Sequence, residues 1–261
     1  MILINKKRKK VFFSIITVTK NSHLTLERCI KSVSRQTFKD YEHIIIDGAS
    51  NKKTIDIIQK NYKSITYSIT EPDKNLWEAI NKGIKASKGE IICILNSDDI
   101  FFKDALKLAN KYFKTKKISY LFGSVLKNKI YGYFYPEKIY YKFNIFPSHS
   151  ISFFVKKELH KKVGLYDQNL KFCADYDFIF KLVKLKIPFA CSSPNEVFGK
   201  FSKGGISTKI GIFKRLYYEA KVRIKNRQNF LYVICLTILH FINFIRNRIL
   251  LLLKLKKSLN W

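Results

Sequence analysis

The chain has 261 residues, 47% hydrophobic and 15% aromatic, which is enough to bury a sizeable core and too apolar for a disordered chain. Its 50 Lys and Arg outweigh 19 Asp and Glu, a formal net charge of +31, and such a balance calls for an anionic partner: a phosphorylated substrate, a membrane surface or nucleic acid. The five cysteines contain no CxxC pair and the five histidines no HxxxH pair. Buried free thiols in a reducing compartment explain the cysteines better than disulfides or zinc.

Lys6–Lys10 is a basic leader, and the β-branched run Val11–Thr19 predicts a first buried strand. No small-residue cleavage site follows, which argues against a secretion signal. Asn21-Ser22 offers caps to a helix from about His23 to Gln36, with Leu26, Cys29, Ile30 and Val33 on one face. His43–Asp47 reads as a second buried strand. A helix over about 53–61, a strand over 64–69 and a helix over 75–86 follow, and Lys88-Gly89 ends the last of these. Glu90–Leu95 is the next strand. Strands alternating with helices imply right-handed crossovers, hence an α/β fold with a mainly parallel central sheet flanked by helices.

That strand ends in Asn96-Ser97-Asp98-Asp99. Adjacent carboxylates at a buried strand end are costly unless a cation or strong donors sit beside them. One reading makes Asp98 or Asp99 the cap of a helix starting near Lys103. The other makes them hard oxygen ligands for Mn²⁺ or Mg²⁺ shared with a substrate phosphate. In open α/β sheets ligands bind outside the carboxyl ends of the strands. Thr19-Lys20-Asn21, Asp47-Gly48 and Asn96–Asp99 all fall there, and together they favour a nucleotide or metal site.

Past residue 99 the pattern changes. Ile118–Leu126 and Lys129–Tyr135 read as a hairpin, and Phe146–Ser150 as a loop before a strand over Ile151–Val155. Asp175-Tyr176-Asp177 opens an amphipathic helix that Pro188 ends. A short strand over Val197–Phe201 and a flexible loop over Lys203–Ser207 complete this half. Between Gly204 and Trp261 the one acidic residue is Glu219. Lys209–Arg227 predicts a basic amphipathic helix, and Phe230–Ile245 an apolar one that is short for a span of about 20 residues. Basic residues bracketing apolar helical segments fit an interfacial helix drawn to anionic lipid. A helix docked on the protein's own core or on a partner subunit is the alternative.

Phe13–Asn21, Ile44–Ser50, Glu71–Asn75, Ala79–Gly83, Lys88–Ile92 and Leu95–Asp99, in this order and spacing, resemble family 2 glycosyltransferases of the GT-A fold. The chain is most similar to bacterial enzymes that build surface polysaccharides, lipopolysaccharide O-antigen and colanic acid among them. The resemblance covers about residues 11–205. It implies a GT-A catalytic domain over 1–205, with a nucleotide-binding half at about 11–100 and an acceptor-binding half at about 101–205. Residues 206–261 form the basic, membrane-associated helical tail. It also implies roles. Asp47 accepts the imide N–H of a nucleobase, most simply the uracil of a UDP-sugar. Thr17, Thr19, Asn21, Asn81 and Asn96 line the nucleotide. Asp98 and Asp99 hold the metal, with Asn96 standing where the family's DxD motif has its first Asp. Asp175 is the general base of an inverting transfer. His149, Asp177 and Lys82 are candidates for acceptor or phosphate contacts.

The implied activity is the transfer of one sugar from a nucleotide-diphosphate sugar to a hydroxyl of a lipid-linked oligosaccharide. It would take place at the cytoplasmic, inner face of the cell membrane, with Mn²⁺ or Mg²⁺ as cofactor. The Gln-x-x-Arg-Trp motif of processive synthases is missing. Two other readings compete: a non-catalytic GT-A-like partner subunit, motivated by Asn96, and a nucleic-acid-binding protein, motivated by charge. No nucleic-acid-binding signature supports the latter.

Overall fold

The computed structural model describes residues 1–6, 10–142, 145–202 and 210–258. The loop expected over 203–207 lies outside these residues. In chain order the elements are β1 (Ile2–Asn5), β2 (Val11–Thr19), α1 (Leu26–Ser34), β3 (Tyr41–Asp47), α2 (Lys52–Lys60), β4 (Tyr67–Thr70), α3 (Leu76–Ala86), β5 (Gly89–Ile94), β6 (Ile100–Phe101), α4 (Ala105–Thr115), β7 (Tyr120–Phe122), β8 (Ser124–Leu126), β9 (Ile130–Tyr131), β10 (Phe153–Lys156), α5 (Lys157–Lys162), α6 (Ala174–Lys184), β11 (Phe189–Cys191), β12 (Val197–Lys200), α7 (Ile212–Lys225) and α8 (Phe230–Ser258).

The main sheet runs β1-β4-β3-β2-β5-β10-β7-β11. The pairs β2–β3, β3–β4 and β2–β5 are parallel, as the sequence predicts. Ile15, Ile16, Ile44, Ile45, Ile46, Ile91 and Ile92 are buried on both faces, which is why these strands read as continuous apolar runs. β10 breaks the pattern by inserting antiparallel between β5 and β7. A second sheet, β6-β12-β8-β9, lies beside the first. Of the expected hairpin only β8–β9 forms, because β7 turns back into the main sheet.

Each face of the sheet buries its own helices. Trp77, Ile80 and Ile84 of α3, Phe178 and Leu182 of α6 and Val222 of α7 pack with Ile16, Ile44 and Ile92. Cys29 and Val33 of α1 and Leu106 and Ala109 of α4 pack on the other side with Ile15, Ile91 and Cys93. Contact between α3 and β2 requires a glycine: a Cβ on Gly83 would fall 2.3 Å from Ile16 Cγ2. α1 starts later than expected because Ser22 O first accepts the N–H groups of Thr25 and Leu26 in a turn. Asn51 caps α2 through Thr54 N, and Asn75 caps α3 through Trp77 N and Glu78 N.

α7, which lies past the expected boundary at 205/206, packs into the main core. Val222 is fully buried, and Arg223, only 1% exposed, bonds Glu219 Oε1 at 3.1 Å, Gln228 Oε1 at 3.0 Å and the carbonyls of Tyr140 and Lys142. Arg223, paired with the tail's one acid, therefore clamps α7 to the body. The apolar runs beyond it form a single helix, α8, not separate segments. Val233 and Leu236 are buried, while Leu231, Ile234, Ile238, Ile242 and Ile249 are exposed. Phe230–Leu253 is long and apolar enough to cross a membrane, by length and composition only. The five cysteines are free, but Cys235 is exposed, not buried as expected.

Candidate functional site

The carboxyl ends of β3, β2 and β5 lie side by side because these strands are hydrogen-bonded neighbours. Thr19 is in register with Asp47, and Asp47 with Thr70, so the three side chains share one face of the sheet. Asp47 is fully buried. Its Oδ2 accepts the Ser50 N–H at 3.0 Å, while Oδ1 and the hydroxyls of Thr19 and Thr70 have no hydrogen-bond partner among the described residues. An unpaired buried carboxylate oxygen is destabilising, and a ligand N–H would relieve that cost. Asn21, in the left-handed region at φ 52°, holds the adjoining loops together. Its N–H donates to Ser50 Oγ at 2.7 Å and its Oδ1 accepts Asn51 N–H at 2.8 Å.

Thr17 does not line this site. It lies two residues deeper on β2, and its hydroxyl meets His43 Nε2 at 3.0 Å beneath α1. Burial drives His43 down to about 3, so this imidazole is neutral.

The two aspartates after β5 have different fates. Asp99 is buried, and both its oxygens are taken: Oδ2 by Ser150 Oγ at 2.8 Å and Oδ1 by Ser202 N–H at 2.9 Å. Burial pushes it up to about 7, against the opposing pull of the Ser202 N–H. It is not a helix cap, since α4 begins after Asp104, and both oxygens of this expected metal ligand already have protein partners. Its role is to tether the turn to the loop before β10 and to Ser202. Asp98 is partly buried, and among the described residues its carboxylate has no hydrogen-bond or ion-pair partner. Its backbone carbonyl is fixed by Arg28 Nη2 at 2.9 Å and by Ser202 Oγ. Asn96 uses its backbone carbonyl for the Asp99 N–H and the Cys29 thiol, and its side-chain amide has no hydrogen-bond partner among the described residues. Among the described residues no three His, Cys, Asp or Glu side chains converge. The donor set fits a hard cation held by Asp98 and completed by substrate phosphate and water.

Several expected contacts prove to be supports for the segment that carries Asp175. Asn81, expected at the nucleotide, spends its amide on Tyr166: its Nδ2 donates to Tyr166 O at 2.8 Å and its Oδ1 accepts Tyr166 N–H at 3.1 Å. Trp77 Nε1 donates to Lys171 O at 2.9 Å, so α3 fastens the stretch before α6 at both ends. Tyr166 Oη meets His149 Nε2 at 2.7 Å. His149 also packs edge-on against Trp77, with ring centres 5.7 Å apart. Burial holds His149 down at about 3, so it is uncharged and offers no cation to a phosphate. Tyr166 was not legible as a site residue, and no motif marks it.

Asp175 sits in the first turn of α6, two residues past the cap position at Cys173. Its Oδ1 accepts the Tyr176 N–H at 2.9 Å. Burial pushes it up to about 6. Tyr166 lies within reach of its charge: burial first, and Asp175 second, raise the phenol well above its ordinary range. Asp177, expected as an acceptor or phosphate contact, is engaged within the protein. It is buried against Lys181 at 2.8 Å, Lys225 at 3.2 Å and Asn226 Nδ2 at 2.8 Å, joining α6 to α7. Lys82 is held by Asp73 at 2.6 Å and Glu71 at 2.8 Å, so its charge is spent within the protein. Asp73 itself overhangs the end of β3, where a Cβ on Gly48 would lie 3.2 Å from its Oδ2.

A mainly parallel α/β sheet with polar strand ends and an Asn-Ser-Asp-Asp turn defines a GT-A type nucleotide-sugar fold. The profile of Glycosyl transferase family 2 matches residues 14–173, and the chain belongs to that family. A PGL/p-HBAD biosynthesis glycosyltransferase of Mycobacterium bovis is 28% identical over 231 residues, covering 82% of this chain and 87% of its own. An uncharacterized glycosyltransferase of Rickettsia typhi is 28% identical over 187 residues, and the match spans 66% of this chain and 58% of that relative. Among solved structures, S. aureus TarS 1-349 in complex with UDP-GlcNAc superposes with a TM-score of 0.64 at 16% identity, covering 82% of this chain and 66% of that one. The mannosyltransferase PcManGT from Pyrobaculum calidifontis, in complex with GDP-Man and Mn²⁺, gives 0.65 at 16% identity, covering 86% and 66%.

Proposed function

We propose that this protein transfers a single sugar, with inversion, from a nucleotide-diphosphate donor to a hydroxyl of a lipid-linked glycan during cell-surface polysaccharide synthesis. The observation that carries this is a pair of acceptors without a partner among the described residues, at the ends of β3 and β5 on either side of β2: Asp47 Oδ1 for a nucleobase N–H and the Asp98 carboxylate for the cation at the diphosphate. One free oxygen on Asp47 suits the single imide N–H of uracil, so a UDP-sugar is the favoured donor. Mn²⁺ or Mg²⁺ at Asp98 supplies charge neutralisation on the departing diphosphate.

Asp175 accepts the proton of the acceptor hydroxyl as that oxygen bonds to the anomeric carbon and the bond to the diphosphate breaks. A base at about 6 is ionised at neutral pH yet still basic enough to take a proton. The tail beyond 206 holds the enzyme peripherally at the inner, anionic face of the membrane, where such acceptors reside. A panel of nucleotide sugars with Mn²⁺, scored for nucleoside diphosphate release with and without a lipid-linked acceptor, tests the reading. Release from no donor under either condition overturns it.

A further inference from the structure

Aromatic residues are exposed in an unusual run on the acceptor half: Tyr131, Tyr133, Tyr135, Tyr140 and Tyr141, of which Tyr140 also packs edge-on against the buried Phe180. Alternation explains Tyr131, Tyr133 and Tyr135, with Phe134 buried in the core between the last two; Tyr140 and Tyr141 lie at the end of a helical turn over Pro136–Tyr140 whose Ile139 is buried. The ring centres of Tyr133 and Tyr135 lie 6.4 Å apart. Lysines attend them, Lys138 at 3.9 Å over Tyr135 and Lys127 and Lys129 at 5.4 and 5.7 Å from Tyr131. From residue 127 to 142 the one acid is Glu137.

This ribbon runs directly into α8. Tyr141 O lies 3.1 Å from His240 Nε2, and His240 Nδ1 lies 3.1 Å from Glu219. The buried stripe Val233, Leu236 and the bonded His240 fix one side of α8 to the protein. The opposite stripe, Leu231, Ile234, Ile238, Ile242 and Ile249, stays exposed, and past Glu219 the chain contains no acid. Over Phe230–Leu253 the mean hydropathy is 1.5.

An apolar helix flanked by exposed tyrosines and lysines has the composition of a membrane interface, where amphipathic rings and long cations sit at headgroup depth. We propose that residues 130–142 form a second lipid contact. The tyrosine ribbon rests on the anionic headgroups beside α8 and turns the acceptor half of the catalytic body toward the bilayer. This rests on the reading that the tail meets the membrane. The occupant is the phosphate-bearing lipid surface, which the local excess of lysine complements.

The chain in a Trp261→Phe background, whose remaining Trp77 is buried and gives a common baseline, tests it with reporter tryptophans read as the difference from that background, Tyr133→Trp in the ribbon and Leu239→Trp in the helix. Vesicles of phosphatidylcholine with phosphatidylglycerol, carrying brominated chains, supply the quencher. Quenching of both reporters, and loss of roughly tenfold or more in vesicle affinity for Lys129→Gln/Lys138→Gln, is the expected result. Quenching at 239 but not at 133 overturns the ribbon contact while leaving the tail's membrane role intact. Quenching at neither removes the membrane reading itself. A blue-shifted Tyr133→Trp emission without lipid, in a chain that sediments as a dimer, would show the ribbon to be a self-interface and overturn the proposal.

Discussion

Replacing Asp175 by Asn should give a protein that is inactive and yet more stable at neutral pH. The carboxyl moves from an ordinary value of 3.8 to about 6 on folding, chiefly through burial, so the fold disfavours its charged form. The sign follows from linkage. A raised folded-state pKa stabilises the protein fully below about 3.8, and that contribution is lost as pH rises through about 6. At pH 7.5 the penalty on the ionised side chain is at most about 3 kcal/mol, and partial exposure reduces it to about 1–2 kcal/mol. Asn keeps the shape and can still accept the Tyr176 N–H, so it removes the penalty and little else. Differential scanning fluorimetry at pH 7.5 should therefore show a Tm higher by about 2–6 °C. At pH 4 the gain should vanish. Donor turnover should fall by about 10²-fold or more, and the parent's rate should rise with pH through about 6 and then level. A variant that transfers sugar at the parent's rate, or a parent profile flat between pH 5 and 7, would refute the assignment of Asp175 as base.

Asp98→Asn should leave Tm within about 2 °C, since its carboxylate has no partner among the described residues, while abolishing the extra stabilisation that Mn²⁺ gives in the presence of UDP. Thermal shift with UDP, with and without Mn²⁺, checks both halves. Glu219→Gln should destabilise by about 3–5 kcal/mol, because it strands the buried Arg223 guanidinium; urea denaturation measures it. Gly83→Ala should cost about 1–3 kcal/mol as α3 is pushed off Ile16, seen as a lower urea midpoint with an unchanged slope.

The order of elements through β5 was legible because parallel strands buried on both faces leave long β-branched runs, and the intervening helices carry a clear apolar stripe. The strand-end rule then located Asp47 and Asn96–Asp99 without any contact being known. What local pattern could not supply was direction and partnership. Ile151–Val155 reads as a strand, but nothing in it says that it inserts antiparallel between β5 and β7, because that depends on where the chain returns from. Asp98 and Asp99 are equivalent in sequence. Only the approach of Ser150 and Ser202 from 51 and 103 residues away makes one a tether and leaves the other free for a ligand. Asn81 belongs to a nucleotide-site motif by sequence, yet Tyr166, 85 residues on, takes both ends of its amide. The sequence by itself determined the α/β class, the family and the strand ends where chemistry gathers, since these rest on periodicity and short-range spacing. The tertiary structure alone decided which polar groups remain unsatisfied, because a side chain is free for a substrate only when no distant residue has already claimed it.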